Sequence, residues 1–441
     1  MEIKQASQFV IKELNLITKL GKIDLKSIYD EINLFDSLLM PCMSGNIVLT
    51  DSVGLLDKLA IDGSEILQVN ITKDGEEFPI KKAYRIYKLT DRKNINQTSE
   101  LYILHFVSDE YIYSNQKKIN QSYIDTYSNV VVNILMNELG VPVETMFGTF
   151  ENSIGIKKIV IPNLSPIDAI RWCAKRAVDE QNLPNFIFFQ NSLGYNFAKL
   201  STLMQSDPLF DITFNVKNLE DNIGKELFGA KDIKVISQFD FIESQKRGIH
   251  SGKFIGFDLI TRTFGSFDFS YGDTFVNQKH QNKNPTMPLV RNRENKTNFE
   301  MHDTRKSLYS FDLPRQNSEY IKKHDPESIN LNDNQHNYIF QRNALLSNLT
   351  QRRLRIVMPG NFAFSSGFNL NLNVPLRSTM GESTDKIDQN LSGKYTILST
   401  RHIIKYDRHE TILEVVNDSS NKQSSSAYNI DPNEAIGYNY V

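Results

Sequence analysis

Cysteine and tryptophan are nearly absent from this 441-residue chain, which has two cysteines, Cys42 and Cys173, and one tryptophan. Two distant cysteines at no metal-ligand spacing exclude a disulfide framework and a cysteine-built zinc site. Cys173 falls on the stripe Ile167, Ile170, Ala174, Ala177 of an expected helix, where a cysteine behaves as a small apolar side chain. An excess of charge of one sign is also missing. Lys and Arg number 50 against 52 Asp and Glu, a formal net charge of −2, which gives no whole-chain attraction to nucleic acid or anionic lipid. No run of eighteen apolar residues occurs, so no helical membrane insertion is expected. The first residues mix Glu2, Lys4, Lys12, Glu13 and Lys19 among apolar ones, unlike a signal peptide.

Catalytic signatures are missing too. There is no Gly-x-Ser-x-Gly elbow, and His409-Glu410 lacks the second histidine of a metalloprotease helix. Gly248-Ile249-His250-Ser251-Gly252-Lys253-Phe254 is one residue short of a phosphate loop and has Phe254 where a hydroxyl must reach magnesium. Carboxylate pairs such as Asp109/Glu110 and Glu76/Glu77 have no feature that would split them into a protonated acid and an ionised partner. His105 sits among apolar residues without ligand neighbours and reads as a core or edge residue. No catalytic, cofactor-binding or metal-binding residue is assigned, and the chain is expected not to be an enzyme.

What is present is β-patterning. Phe368-Asn369-Leu370-Asn371-Leu372-Asn373-Val374-Pro375 alternates apolar residues with asparagine, the pattern of a one-sided strand ended by proline. The asparagine face is expected to meet water or a partner. Upstream stands Met358-Pro359-Gly360-Asn361, and Gly367 opens the strand. Near the other end, Met43-Ser44-Gly45-Asn46 precedes a strand opened by Gly63, with a short helix expected within Ser52 to Ala60. The shared motif points to a duplicated β-unit.

Between the copies the period changes. Val130, Ile134, Leu135 and Leu139 mark a helix stopped by Gly140, and Ser165-Pro166 with Asp168 starts another with a capping residue and proline in the first turn. Asn185 to Gln190 and Tyr195 to Leu200 flank a hairpin turn. Lys279, Lys283, Arg291, Arg293, Lys296, Arg305 and Lys306 form a basic stretch, residues 279–310, without the interleaved aromatics that stack on bases, and read as a solvated loop. The expected organisation is a first β-domain over residues 1–118, a helix-plus-hairpin domain over 119–205, a mixed domain over 206–345 with a polar loop and strands available to the last domain, a second β-domain over 346–418, and a flexible tail over 419–441. The class is α+β, dominated by β.

The order Met358-Pro359-Gly360-Asn361, Gly367 to Pro375, then Gly393-Lys394-Tyr395 and a strand carrying His402, resembles the tube domain of the baseplate central hub of contractile-tailed bacteriophages. Ile161-Pro162-Asn163-Leu164-Ser165-Pro166 and Gly248 to Arg262 also resemble hub segments. This resemblance implies two tail-tube-like antiparallel β-barrels per chain, and a homotrimer whose six barrels form a pseudo-hexameric ring. Such a ring adapts the trimeric tail spike protein to the six-fold tail tube protein or tube-initiator ring, and nucleates the tube. It implies a lumen for the tape measure protein and passing DNA, assembly in the host cytoplasm and a place in the virion baseplate, without cofactors. His402 then has a structural role.

Other readings are the hub half of a type VI-like secretion spike, a cell-wall hydrolase and a carbohydrate-binding β-protein. The hydrolase requires paired catalytic carboxylates. The carbohydrate binder requires aromatic platforms on loops, whereas the aromatics here alternate within strands.

Overall fold

The computed structural model describes residues 9–59, 61–72, 79–142, 148–214, 229–258, 262–276, 279–282, 284–285, 290–291, 298–299, 306–310, 335–375, 387–388 and 390–420. Lys283, Arg293, Lys296 and Arg305 of the basic stretch, and the tail from residue 421, lie outside the described residues. Fourteen strands form one sheet. Twelve are named here: β1 (Val10–Thr18), β2 (Tyr29–Ser37), β3 (Ser44–Asp51), β4 (Ile66–Thr72), β5 (Ile80–Asn94), β6 (Glu100–Ser108), β7 (Phe210–Phe214), β8 (Asp232–Ser237), β9 (Arg352–Pro359), β10 (Asn369–Asn373), β11 (Gly393–Lys405) and β12 (His409–Asn417). The chain is β-dominated, as its patterning implies.

The sheet contains the same arrangement twice. The first six strands pair in the order β2-β3-β6-β5-β4-β1, and the last six in the order β8-β9-β12-β11-β10-β7. Each strand thus has its counterpart six strands later. All pairings are antiparallel except those of β7, which runs parallel both to β10 and to the short strand Gly229–Ala230. In each unit a short strand, Gly21–Asp24 or Gly229–Ala230, pairs with the first strand and then runs on into the second. Gly63 and Gly367, at φ of +92° and +93°, lead into the counterparts β4 and β10, a backbone region open mainly to glycine.

Hydrogen bonds fix the correspondence to the residue. Ile86 N donates to the Glu65 carbonyl and Ile397 N to the Phe368 carbonyl, at 3.0 and 2.8 Å. One residue on, both units carry a bulge: β5 slips against β6 between Ile86 and Lys88, and β11 against β12 between Ile397 and Ser399. Tyr87 and Leu398 are therefore counterparts.

The repeated Met-x-Gly-Asn motif does not occupy equivalent places. Met43-Ser44-Gly45-Asn46 opens β3, whereas Met358-Pro359-Gly360-Asn361 closes β9. The glycines answer different steric demands. A side chain at Gly45 would run into the Asn33 carbonyl and the Phe106 ring, and one at Gly360 into the His409 ring.

The asparagine face of β10 also differs from expectation. Asn369 is buried, its amide nitrogen donating to the carbonyls of Leu203 and Ser206, both at 2.6 Å, while its Oδ1 accepts from Thr396. Asn371 Nδ2 donates to Asp211 on the parallel neighbour β7 at 2.9 Å. The alternation correctly gave the strand, but only a non-local partner could reveal that β7 and the Leu200–Gln205 helix cover its polar side.

A second layer packs between the units. Ser165 caps the Pro166–Arg176 helix by accepting from Asp168 N, Cys173 is fully buried on its inner face, and Thr126 caps the helix that Gly140 ends at φ +66°. The Phe186–Asn191/Gly194–Lys199 hairpin stacks Phe186 on Phe197 and Phe188 on Tyr195, with centroids 5.0 and 5.6 Å apart. The short helix before β4 is Leu55–Lys58. The segment resembling a phosphate loop is a helix end followed by a strand, with Gly252 flat against the Phe340 ring.

Gly45→Ala should destabilise the chain by about 1–3 kcal/mol, the cost of forcing extra volume into a packed core. Chemical denaturation of the variant measures this; an unchanged midpoint would contradict the close approach of Phe106.

Candidate functional site

β11 is thirteen residues long, and its partner β10 covers only Gly393 to Thr396 of one edge. The rest of that edge pairs antiparallel with β2 of the first unit, from Ser399 opposite Ser37 to Lys405 opposite Glu31. This junction makes one sheet of two units. It gathers polar and apolar groups from both units.

The alternation of β2 points Ile32, Leu34 and Asp36 to its inner face, so a carboxylate falls where an apolar residue is expected. Asp36 is buried and accepts from Ser365 Oγ at 2.8 Å, Ser366 N at 3.0 Å and Thr400 Oγ1. Burial pushes its carboxyl above the ordinary range, against the pull of these donors. All three donors come from the second unit. Beside them Leu38 N donates to the Leu398 carbonyl at 2.9 Å, and Arg401 Nε to Asn33 Oδ1 at 2.9 Å. Glu31 at the rim faces Arg401 at 3.6 Å and Lys405 at 3.2 Å.

Apolar groups also cross. Phe362 and Ile404 of the second unit are fully buried in the core of the first. Phe362 stacks on His409 with centroids 4.2 Å apart, and His409 lies 3.2 Å from His402. His402 is buried, 3.2 Å from both Thr411 Oγ1 and the Phe364 carbonyl. Burial lowers its pKa to about 4, so it is neutral near pH 7. Its place among backbone and aromatic groups fits the structural role the resemblance gave it.

The hairpin of the middle layer plugs the same seam. Gln190 Oε1 accepts from Met43 N at 2.9 Å and Ser108 Oγ at 2.6 Å, while Asn191 Nδ2 donates to the Ser366 carbonyl at 3.1 Å. Leu38, Ile187, Phe189, Leu398 and Val416 close one apolar cluster around it. His105 is partly buried with Thr90 Oγ1 2.8 Å from its Nε2. Sequence reasoning missed Asp36, Gln190, Ser365, Ser366 and Thr400. Only Asp36 left a signal, as a charge on an otherwise apolar strand face.

No group of three or more His, Cys, Asp or Glu side chains able to hold a metal occurs among the described residues. No helix among them is long and apolar enough to cross a membrane. What this seam can do is hold β-units edge to edge.

Asp36→Ala strands three donors in the seam and should cost roughly 3 kcal/mol, given about 1–3 kcal/mol per buried unsatisfied group with partial relaxation. An unaltered melting temperature would remove Asp36 from this role. His402 adds a pH dependence. Between about pH 4 and the ordinary histidine value of 6.5 the unfolded chain binds the proton that the folded chain excludes, so stability falls as pH drops through that window. From pH 7 to 5 the loss is about 2 kcal/mol. Urea titrations of His402→Gln at both pH values should show a loss smaller by about this amount; equal losses would contradict the assignment.

No family model matches the sequence. No curated protein matches it either. Solved structures do. A tail protein from Neisseria meningitidis MC58 superposes with a TM-score of 0.51 at 12% identity, over 92% of this chain and 96% of that one. The 43 kDa tail protein of prophage MuSo2 from Shewanella oneidensis gives 0.52 at 10% identity, over 92% and 98%. Both matches run nearly end to end, so they concern the arrangement of the whole chain. The chain has the fold of these two tail proteins.

Proposed function

We propose that this chain is a trimeric baseplate hub whose six β-units form a pseudo-hexameric ring. The observation that carries the reading is the double run of six strands in one order, β2-β3-β6-β5-β4-β1 and β8-β9-β12-β11-β10-β7. A chain that presents one unit twice converts three-fold into near six-fold symmetry when three copies close into a ring. Such a ring joins a trimeric tail spike on one side to a six-fold tube on the other and templates the first tube layer.

Each unit acts as a tube-type barrel in this reading. Support comes from the short strands Gly21–Asp24 and Gly229–Ala230, each of which pairs with one end strand of its unit, β1 or β7, and runs on into the other end strand, β2 or β8. The division into a first β-domain over 1–118, a helix-plus-hairpin domain over 119–205, a mixed domain over 206–345 and a second β-domain over 346–418 belongs to the same proposal, with β7 and β8 of the mixed segment completing the second unit. The work of the protein is mechanical and needs no reacting group; tape measure protein and DNA pass through the lumen without specific binding.

Light scattering of the purified chain should give three copies per particle, and negative-stain images a ring with a central hole and six peripheral lobes. A monomer at the highest attainable concentration would overturn the reading.

A further inference from the structure

The junction between the units uses one end of each, and the same two elements recur unused. In the second unit β11 runs past β10, and its free edge takes β2. In the first unit the counterpart β5 runs past β4 in the same way: β4 pairs only with Ile80 to Arg85, while β5 continues to Asn94. No strand among the described residues pairs with that outer edge. The counterpart of β2 is β8, which pairs with β9 on one side and with no described strand on the other.

The side chains follow the same logic. Through the ladders, Val235 opposite Leu354 corresponds to Leu34 opposite Gly45, and Ser237 to Phe35. Leu34 and Leu398, at the occupied junction, are 0% and 3% exposed. Their counterparts Val235 and Tyr87 are 41% and 50% exposed. Around Val235 stand Ile236, Phe239 and Ile242 at 41%, 73% and 66%. An apolar edge with open backbone groups on one end of the molecule, and a matching open edge on the other, is an arrangement that soluble proteins otherwise block.

We infer that β8 of one copy adds antiparallel to the outer half of β5 of a second copy of this chain, repeating between chains the β2–β11 junction made within it. The intrachain register transfers directly. Arg401 faces Phe35, and the counterpart of Arg401 is Thr90, since Arg401 pairs with Ile412 as Thr90 pairs with Ile103. Thr90 therefore faces Ser237, and Tyr87 lies beside Phe239. The contact is head to tail, so each copy offers β5 to one neighbour and β8 to the other, and it either closes into a ring or grows without limit. The inference rests on the ring reading above and names the strands that make the ring.

The test uses the full chain with Thr90→Cys, with Ser237→Cys, and with both. Cys42 and Cys173 are buried and do not compete. After mild copper-phenanthroline oxidation, a mixture of the single variants should give a covalent dimer on a non-reducing gel. The double variant should give dimer and trimer, and nothing larger. Each single variant alone should stay monomeric on the gel. As a second arm, Phe239→Glu, at a largely exposed position, should keep the melting temperature and raise the concentration for half-assembly at least tenfold. If light scattering finds trimers while the cysteines fail to link and Phe239→Glu assembles normally, this junction is wrong and the ring reading stands. If the unmodified chain is monomeric throughout, the ring reading fails and this junction with it.

Discussion

Seven consecutive residue pairs between β11 and β2, Ser399–Ser37 through Lys405–Glu31, couple two otherwise self-contained β-units. Remove that ladder, and Asp36 loses Thr400, Ser365 and Ser366, and Phe362 and Ile404 leave the core of the first unit. The ladder exists because β11 is longer than β10. A strand that outruns its neighbour leaves backbone donors and acceptors unpaired, and these must be matched by another strand or by water. Strand length, a property of local sequence, thus decides how the units are joined.

The seam is polar at its centre and apolar around it. A buried carboxylate with three donors contributes modest net stability, because desolvation offsets most of the gain. Its effect lies elsewhere. A slip of one residue between β2 and β11 would leave Asp36 buried without its donors, a larger penalty than misplacing an apolar side chain. Gln190 and Asn191 act the same way from the hairpin, each serving backbone groups of a different unit. The apolar cluster of Leu38, Phe189 and Leu398 supplies attraction; the polar set fixes register.

Local signals were legible where they sufficed. Alternation gave β10, capping chemistry gave the helix after Ser165, and Gly194 with its flanking aromatics gave the hairpin. The duplication was legible for a reason only half sound. Gly63 and Gly367 lead into counterpart strands at nearly equal φ, though one residue out of step by the Glu65–Phe368 correspondence, and the Met-x-Gly-Asn repeat falls at opposite ends of β3 and β9. Strand order, which identifies the repeat, is a non-local property with no residue pattern of its own. The seam was illegible for the same reason: Asp36 and Thr400 are 364 residues apart, and nothing in either neighbourhood marks the other. The covered asparagine face of β10 is a third instance, since Asp211 and Ser206 come from a different segment.

The junction within the chain and the one proposed between chains differ in buried charge. Asp36 precedes Ser37 on β2, and its counterpart is Gln238, the residue that follows Ser237 at the end of β8; the counterpart of Thr400 is Leu89. Within a chain the partners are tethered, so a seam that attracts weakly but tolerates only one register still forms. Between chains no tether exists, and association must offset the lost freedom of a whole molecule. There attraction counts for more than selectivity, and the open edge carries Val235, Ile236 and Phe239 in place of a carboxylate. In the proposed ring the polar seam belongs to folding and the apolar edge to assembly, an order in which each chain completes its own junction before it presents β5 and β8 to a neighbour.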